Sequence, residues 1–204
     1  MIYITILFSL NLLNSIEFKT DVTQFVNKTK QFYSSVNTAE ISFEQTSANS
    51  DKIRGKMYYS KGNKYNIWYG DKTIICNGVK VWNINSKLSQ VIITKAITKR
   101  KSILPSDIFT SFPGDYNSEY VSENKGSMII KCTPQNISKT ISDISSAVLH
   151  INKKDNTFQR LILNNDSFGE INIKILSSKY NTIINPNKFS YNPSPNVKII
   201  DLTK

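Results

Sequence analysis

Residues 64–95 read KYNIWYGDKTIICNGVKVWNINSKLSQVIITK. Tyr65, Ile67 and Tyr69 alternate with Asn66 and Trp68, so Lys64–Gly70 is a strand with one aromatic face. Thr73–Cys76, Val79–Ile84 and Ser89–Lys95 are further apolar runs of strand length. Asn77-Gly78 separates two of them, and Asn-Gly between apolar runs is a strong hairpin signal because both residues tolerate positive φ. Asn85-Ser86-Lys87 makes the next turn. Short strands joined by tight turns predict an antiparallel meander.

The pattern extends both ways. Upstream, Ile53, Gly55, Met57, Tyr59 and Lys61 share one face of a strand, and Ile41, Phe43 and Gln45 share one face of another. Before these, Val22, Phe25, Val26, Thr29, Phe32, Tyr33 and Val36 recur at helical spacing after the caps Thr20 or Asp21. That stripe predicts a helix packed on a core or laid across an open sheet face. Downstream, Pro105 opens a short helix with Ile108, Phe109 and Phe112 on one side, and Pro113-Gly114 ends it. Strands are predicted at Glu119–Glu123, Ser127–Cys132, Ala147–Asn152, Phe158–Asn164 and Glu170–Leu176. The stretch from Phe189 to Ile200 carries Pro193 and Pro195, which suits a sheet edge. With 204 residues and neither repeat nor linker, one domain is the simplest arrangement.

The net charge of +11 draws the chain toward anionic surfaces. The cations are dispersed, with Lys95, Lys99, Arg100 and Lys101 the densest group, so no nucleic-acid partner is expected. Chemistry-bearing clusters are missing from the sequence. His150 is the one histidine, in a strand pattern, and there is no phosphate loop and no nucleophile elbow. Cys76 and Cys132 are too far apart in sequence to pair as zinc ligands, and they read as one disulfide or two buried thiols. Neither an enzyme nor a cofactor is expected.

Several pieces, in order, make the chain similar to the LolA family of outer-membrane lipoprotein carriers. They are Phe43-Glu44-Gln45, Gly55-Lys56-Met57-Tyr58, the aromatic strand Lys64–Tyr69, Asn77-Gly78 followed by Val81-Trp82, and Gln90-Val91. Asn165-Asp166 with Gly169, Ile171 and Ile173, then Phe189-Ser190-Tyr191 with Pro195, Val197, Ile199 and Asp201, complete the series. The resemblance implies a mainly β, α+β fold: a curved antiparallel sheet forming an unclosed β-barrel, with helices as a lid over a hydrophobic cavity. It implies a monomeric periplasmic carrier of acylated lipoproteins. An inner-membrane lipoprotein-releasing transporter would supply the cargo and an outer-membrane acceptor would receive it. A periplasmic lipid- or lipoprotein-sensing regulator on the same fold is the alternative. Joined to strand alternation, the resemblance assigns the acyl cavity to Phe43, Met57, Tyr59, Tyr65, Ile67 and Tyr69, with Ile108 and Phe109 on the covering helix. Lys61 stands where the family places a lid-fixing arginine; it keeps the charge but lacks the planar multi-donor fork. Tyr65, Asn66 and Ile67 stand where the family has Phe-Arg-Trp.

The first residues, MIYITILFSLNLLNS, hold an apolar run too short for a membrane span of about 20 residues and suited to a signal-peptide core of about 7–15. A buried first strand is the competing reading. Residues 1–15 are expected to be a signal peptide, with the carrier domain over 16–204 and no cysteine at the new end to take a lipid. N-terminal sequencing of protein from the producing cell is expected to begin near Ile16; intact Met1 in a cytoplasmic fraction would overturn the assignment.

Overall fold

The computed structural model describes residues 22–47, 50–96, 116–135, 144–167 and 169–203. The helix expected around Pro105, with Ile108 and Phe109, lies outside them, as do residues 1–15. The chain folds into one twelve-stranded sheet: β1 (Thr38–Ser47), β2 (Ser50–Ser60), β3 (Lys64–Tyr69), β4 (Lys72–Asn77), β5 (Lys80–Asn85), β6 (Gln90–Lys95), β7 (Tyr116–Glu123), β8 (Ser127–Pro134), β9 (Ile144–Asn152), β10 (Phe158–Asn165), β11 (Gly169–Tyr180) and β12 (Lys198–Asp201). Helix α1 spans residues 22–34.

The sheet order is β12-β6-β5-β4-β3-β2-β1-β11-β10-β9-β8-β7. Two antiparallel meanders, β1–β6 and β7–β11, therefore meet where β1 pairs with β11. The ends, β12 and β7, do not pair, so the curved sheet is an unclosed barrel. At the seam Ser42 faces Ser177 and Phe43 faces Ile175, which leaves Leu176 as an extra residue. Such a bulge bends the strand and increases its twist, which helps the sheet to curl.

Alternation puts apolar side chains on the concave side. From β7–β10 come Tyr116, Ile130, Leu149, Leu161 and Leu163, all buried. Val22, Val26, Thr29 and Tyr33, one stripe of α1, are buried in the same core, together with Val36 just past the helix. Tyr33 fixes the helix in place. Its ring stacks on Phe158 at 4.2 Å and meets Tyr180 edge-on. Its hydroxyl accepts the Phe158 N–H at 2.7 Å and lies 3.4 Å from the Tyr180 hydroxyl. Burial pushes the Tyr33 phenol well up, so it stays neutral.

The turn between β4 and β5 falls one residue later than Asn77-Gly78 predicts. The two loop residues are Gly78, at φ +91°, and Val79. Asn77 Oδ1 accepts the N–H groups of Val79 and Lys80 at 2.9 and 2.8 Å, so Asn77 closes the turn by its side chain. The C-terminal stretch crosses back to the far edge, where β12 adds to β6 in parallel. On its way a 3-10 turn, Pro186–Phe189, buries Phe189 and packs by β3 and β4. Asn66 Nδ2 donates to the Lys188 carbonyl at 2.7 Å. The crossing covers β3 and β4 on the side opposite the concave wall, so Ile75 is buried beneath it while Ile74, on the concave side, is half-buried.

Gly55 sits opposite Phe43 in the β1–β2 pair. A methyl group there would collide with the Phe43 ring and stand 2.7 Å from the Trp68 carbonyl oxygen. Gly55→Ala is therefore expected to destabilise the fold by about 1–3 kcal/mol through overpacking. Thermal denaturation measures this, and an unchanged Tm would contradict the packing described.

Candidate ligand-binding site

The strand registers collect the residues singled out in the sequence. Tyr59 faces Tyr65, Met57 faces Ile67, and Gly55 faces both Phe43 and Tyr69. Phe43, Met57, Tyr59, Tyr65, Ile67 and Tyr69 thus lie on one concave wall. Their exposure divides them. Phe43, Met57, Tyr59 and Tyr65 are buried, whereas Ile67 and Tyr69 are half-buried.

The same wall continues across β4–β6. Ile67 faces Ile74, Ile74 faces Asn83, and Asn83 faces Ile92. Tyr69, Ile74 and Ile92 border an open depression of about 300 Å³. Lys72, Asn85 and Gln90 border it too. Ile74, Ile92 and these polar residues escaped the sequence reading; extending the register outward from Ile67 and Tyr69 is the signal that finds them. Trp68, on the opposite face by alternation, is 51% exposed.

Lys61 belongs to the turn after β2. Its backbone N–H donates to the Asn37 carbonyl at 2.8 Å, and its ammonium reaches the Ser34 carbonyl at 3.4 Å. Ser34 is the last residue of α1, where free carbonyls favour a cation. The bond is long and exposed, so its contribution to stability is small.

The wall carries little chemistry. Burial pushes the phenols of Tyr59 and Tyr69 up, and also the Cys76 thiol. Cys76 and Cys132 are free thiols, and burial raises Cys132 to about 12, so neither offers a thiolate nucleophile. No group of three metal-ligating side chains occurs among the described residues. The outer face of β1 and β2 carries ion pairs: Glu44 pairs with Lys52 at 3.1 Å and Arg54 at 3.6 Å, and Glu40 with Lys56 at 2.7 Å.

The fold is an open half-barrel whose concave wall is largely apolar. The sequence profile described as outer membrane lipoprotein carrier protein LolA matches residues 34–192, and the chain belongs to that family. Among solved structures, a conserved uncharacterised protein from Thermus thermophilus matches with a TM-score of 0.57 at 11% identity, over 89% of this chain and 99% of that one. A LolA superfamily protein from Nitrosomonas europaea matches with a TM-score of 0.43 at 12% identity, over 83% and 97%. The MucA/MucB complex of Pseudomonas aeruginosa matches with 0.49 at 10%, over 88% and 63%. The first of these likenesses shows the shared fold. A search of curated sequences found no match.

His150 lies on the outer face of β9 between Ile129 and Arg160. Partial burial first, and then Arg160, lower its pKa. The folded protein therefore resists a proton that the unfolded chain accepts. Stability is expected to fall as pH drops below about 6.5, until the folded histidine is itself protonated. His150→Gln should flatten that part of the curve of Tm against pH; an identical slope in both proteins would exclude His150 as the cause.

Proposed function

We propose that this chain is an extracytoplasmic, non-enzymatic carrier that shelters acyl chains of lipoproteins on the concave wall and moves them from inner to outer membrane. One observation carries this reading: in a member of the LolA family, a largely apolar wall, interrupted by Asn83, is left half-buried at Ile67, Tyr69, Ile74 and Ile92, beside an open depression of about 300 Å³. A wall left open to solvent gains by accepting an apolar guest, at about 0.8 kcal/mol per methylene covered. Phe43, Met57, Tyr59 and Tyr65 form the deeper part of that wall, and Ile108 and Phe109 would cover it. Residues 1–15 serve as the export signal to the periplasm. A releasing transporter in the inner membrane loads the carrier and an outer-membrane acceptor unloads it. Lys61 tethers the end of α1 and so biases the cover toward closure.

Ile67 is the better probe of the wall than Tyr65, which is 3% exposed and whose replacement would disturb the core. Ile67→Glu places a carboxylate on the half-buried wall, where an unpaired charge opposes an acyl chain. Displacement of a fluorescent fatty acid from the purified protein should show affinity reduced at least about tenfold, a loss of about 1.4 kcal/mol. Circular dichroism should show the fold intact. Lys61→Leu should still bind the probe and should pass it more slowly to acceptor vesicles. A folded Ile67→Glu protein that binds as the parent does would sink the carrier reading.

A further inference from the structure

The concave wall of β2–β6 changes character along the strands. Its deepest row is Tyr59, Tyr65, Cys76, Val81 and Thr94. The next is Met57, Ile67, Ile74, Asn83 and Ile92. The row nearest the turns is Tyr69, Lys72, Asn85 and Gln90, and β12 adds Lys198 beside Gln90. Among the described residues, Lys72 is thus the one cation on the concave side of β2–β6, and it stands at the rim beside two deeper rows that hold no charge.

We propose that this rim binds an anionic headgroup, a carboxylate or a phosphate, at the end of an acyl chain that lies along Ile74 and Ile92. The inference rests on the carrier reading and adds a headgroup preference to it. Lys72, Asn85 and Gln90 border the same depression as the two isoleucines, so one amphiphile can touch both parts. The Asn85 carboxamide oxygen already accepts the Leu88 N–H at 3.1 Å, which leaves its NH₂ group to donate. An ammonium and an amide N–H at a rim are donors that suit an anion. Lys198, about three strand spacings or ~14 Å from Lys72, adds positive potential at the same end. Lys72 forms no ion pair among the described residues. Asp201, on β12, accepts instead from the Thr203 N–H and hydroxyl at 2.9 and 2.6 Å. Asp71 precedes Lys72 in the turn, where its backbone carbonyl accepts from Ser86. Asp51 lies on the concave side by alternation, but four residues and so about 13 Å along β2 from the row of Gly55 and Tyr69. A lysine serving only solubility would be as well placed on the outer face, where Lys52, Arg54 and Lys56 already stand.

The test uses the purified protein with bound N-phenyl-1-naphthylamine, an uncharged fluorescent probe, at about pH 8, where a fatty acid is ionised. Dodecanoate, dodecyl phosphate and dodecanol are compared as displacers. Both anions, or the one whose headgroup fits, should displace the probe at about tenfold lower concentration than the alcohol, the scale of a hydrogen bond to a charged group. Lys72→Gln should remove most of that advantage and leave dodecanol unchanged, and Lys72→Gln with Lys198→Gln should remove the rest. If the alcohol matches both anions, or if Lys72→Gln weakens all three alike, the headgroup assignment is overturned and the carrier reading stands. If none of the three displaces the probe or binds, the carrier reading falls and the headgroup site with it.

Discussion

The pairing of β1 with β11 is the contact on which the rest of the fold depends. It joins residues more than 120 positions apart, from Ala39 with Tyr180 to Ser47 with Ile171, and converts two local meanders into one sheet. Without it each meander would keep its hairpins but lose the continuous concave surface. Closing so long a loop costs entropy that only the completed sheet and its core offset. The seam is reinforced at the end where β1 begins and β11 finishes. Asn37 donates its N–H to Asn181 Oδ1 at 2.7 Å, Thr38 donates its hydroxyl to the Thr182 carbonyl at 2.6 Å, and Asn181 donates its N–H to the Thr38 carbonyl at 2.8 Å. Asn181 takes φ +54°, a conformation asparagine tolerates better than most side chains.

The helix depends on the same seam. Tyr180 closes β11, and its ring meets both Phe32 and Tyr33 of α1 edge-on. Tyr33 then ties α1 to β10 through the Phe158 backbone. Aromatic contacts of this kind add about 0.5–1.5 kcal/mol each beyond area burial. Helix α1 is thus pinned at its C-terminal half by stacking and a buried hydroxyl. Its N-terminal half packs through the apolar side chains of Val22, Phe25 and Val26, beside a cleft of about 210 Å³ that Tyr116 and Gln135 help to line.

Most of the architecture was legible in the sequence because it is written in local alternation. The strands, the aromatic face of Tyr65, Ile67 and Tyr69, the outward Trp68 and the edge position of the last strand all follow from periodicity and turn chemistry. What was not legible is set by distant partners. Nothing near Leu176 announces a bulge, since it arises from register against β1. The one-residue shift of the turn to Gly78–Val79 depends on Asn77 satisfying two backbone donors. The deep burial of Met57, Tyr59 and Tyr65 reflects packing that alternation cannot weigh, so those residues form the back of the wall and Ile67 and Tyr69 its accessible part. Ile74 and Ile92 were hidden because their strands are apolar on both faces, and only the sheet order assigns each isoleucine a side. The two cysteines were open between a disulfide and thiols; both are buried and free.

A carrier has to bind strongly enough to extract a chain from one membrane and weakly enough to surrender it to another. Covering a chain of about 15 carbons completely would yield roughly 12 kcal/mol, and two or three such chains would be held almost irreversibly. A wall that is half-open avoids this by covering only part of each chain. The graded surface described here adds a second control. Its buried aromatic row holds the fold; on the carrier reading proposed above, its isoleucine row would supply non-directional affinity in proportion to area and its polar rim would supply direction. Under the headgroup proposal, a ligand entering headgroup-last would find its charge at Lys72 and its chain against Ile74 and Ile92. Reversing it would leave the ammonium facing methylenes and the charge facing apolar side chains, a mismatch that costs more than any single methylene gains. Orientation would thus follow from the order of rows along β4–β6, and that order is fixed by the same registers that close the sheet.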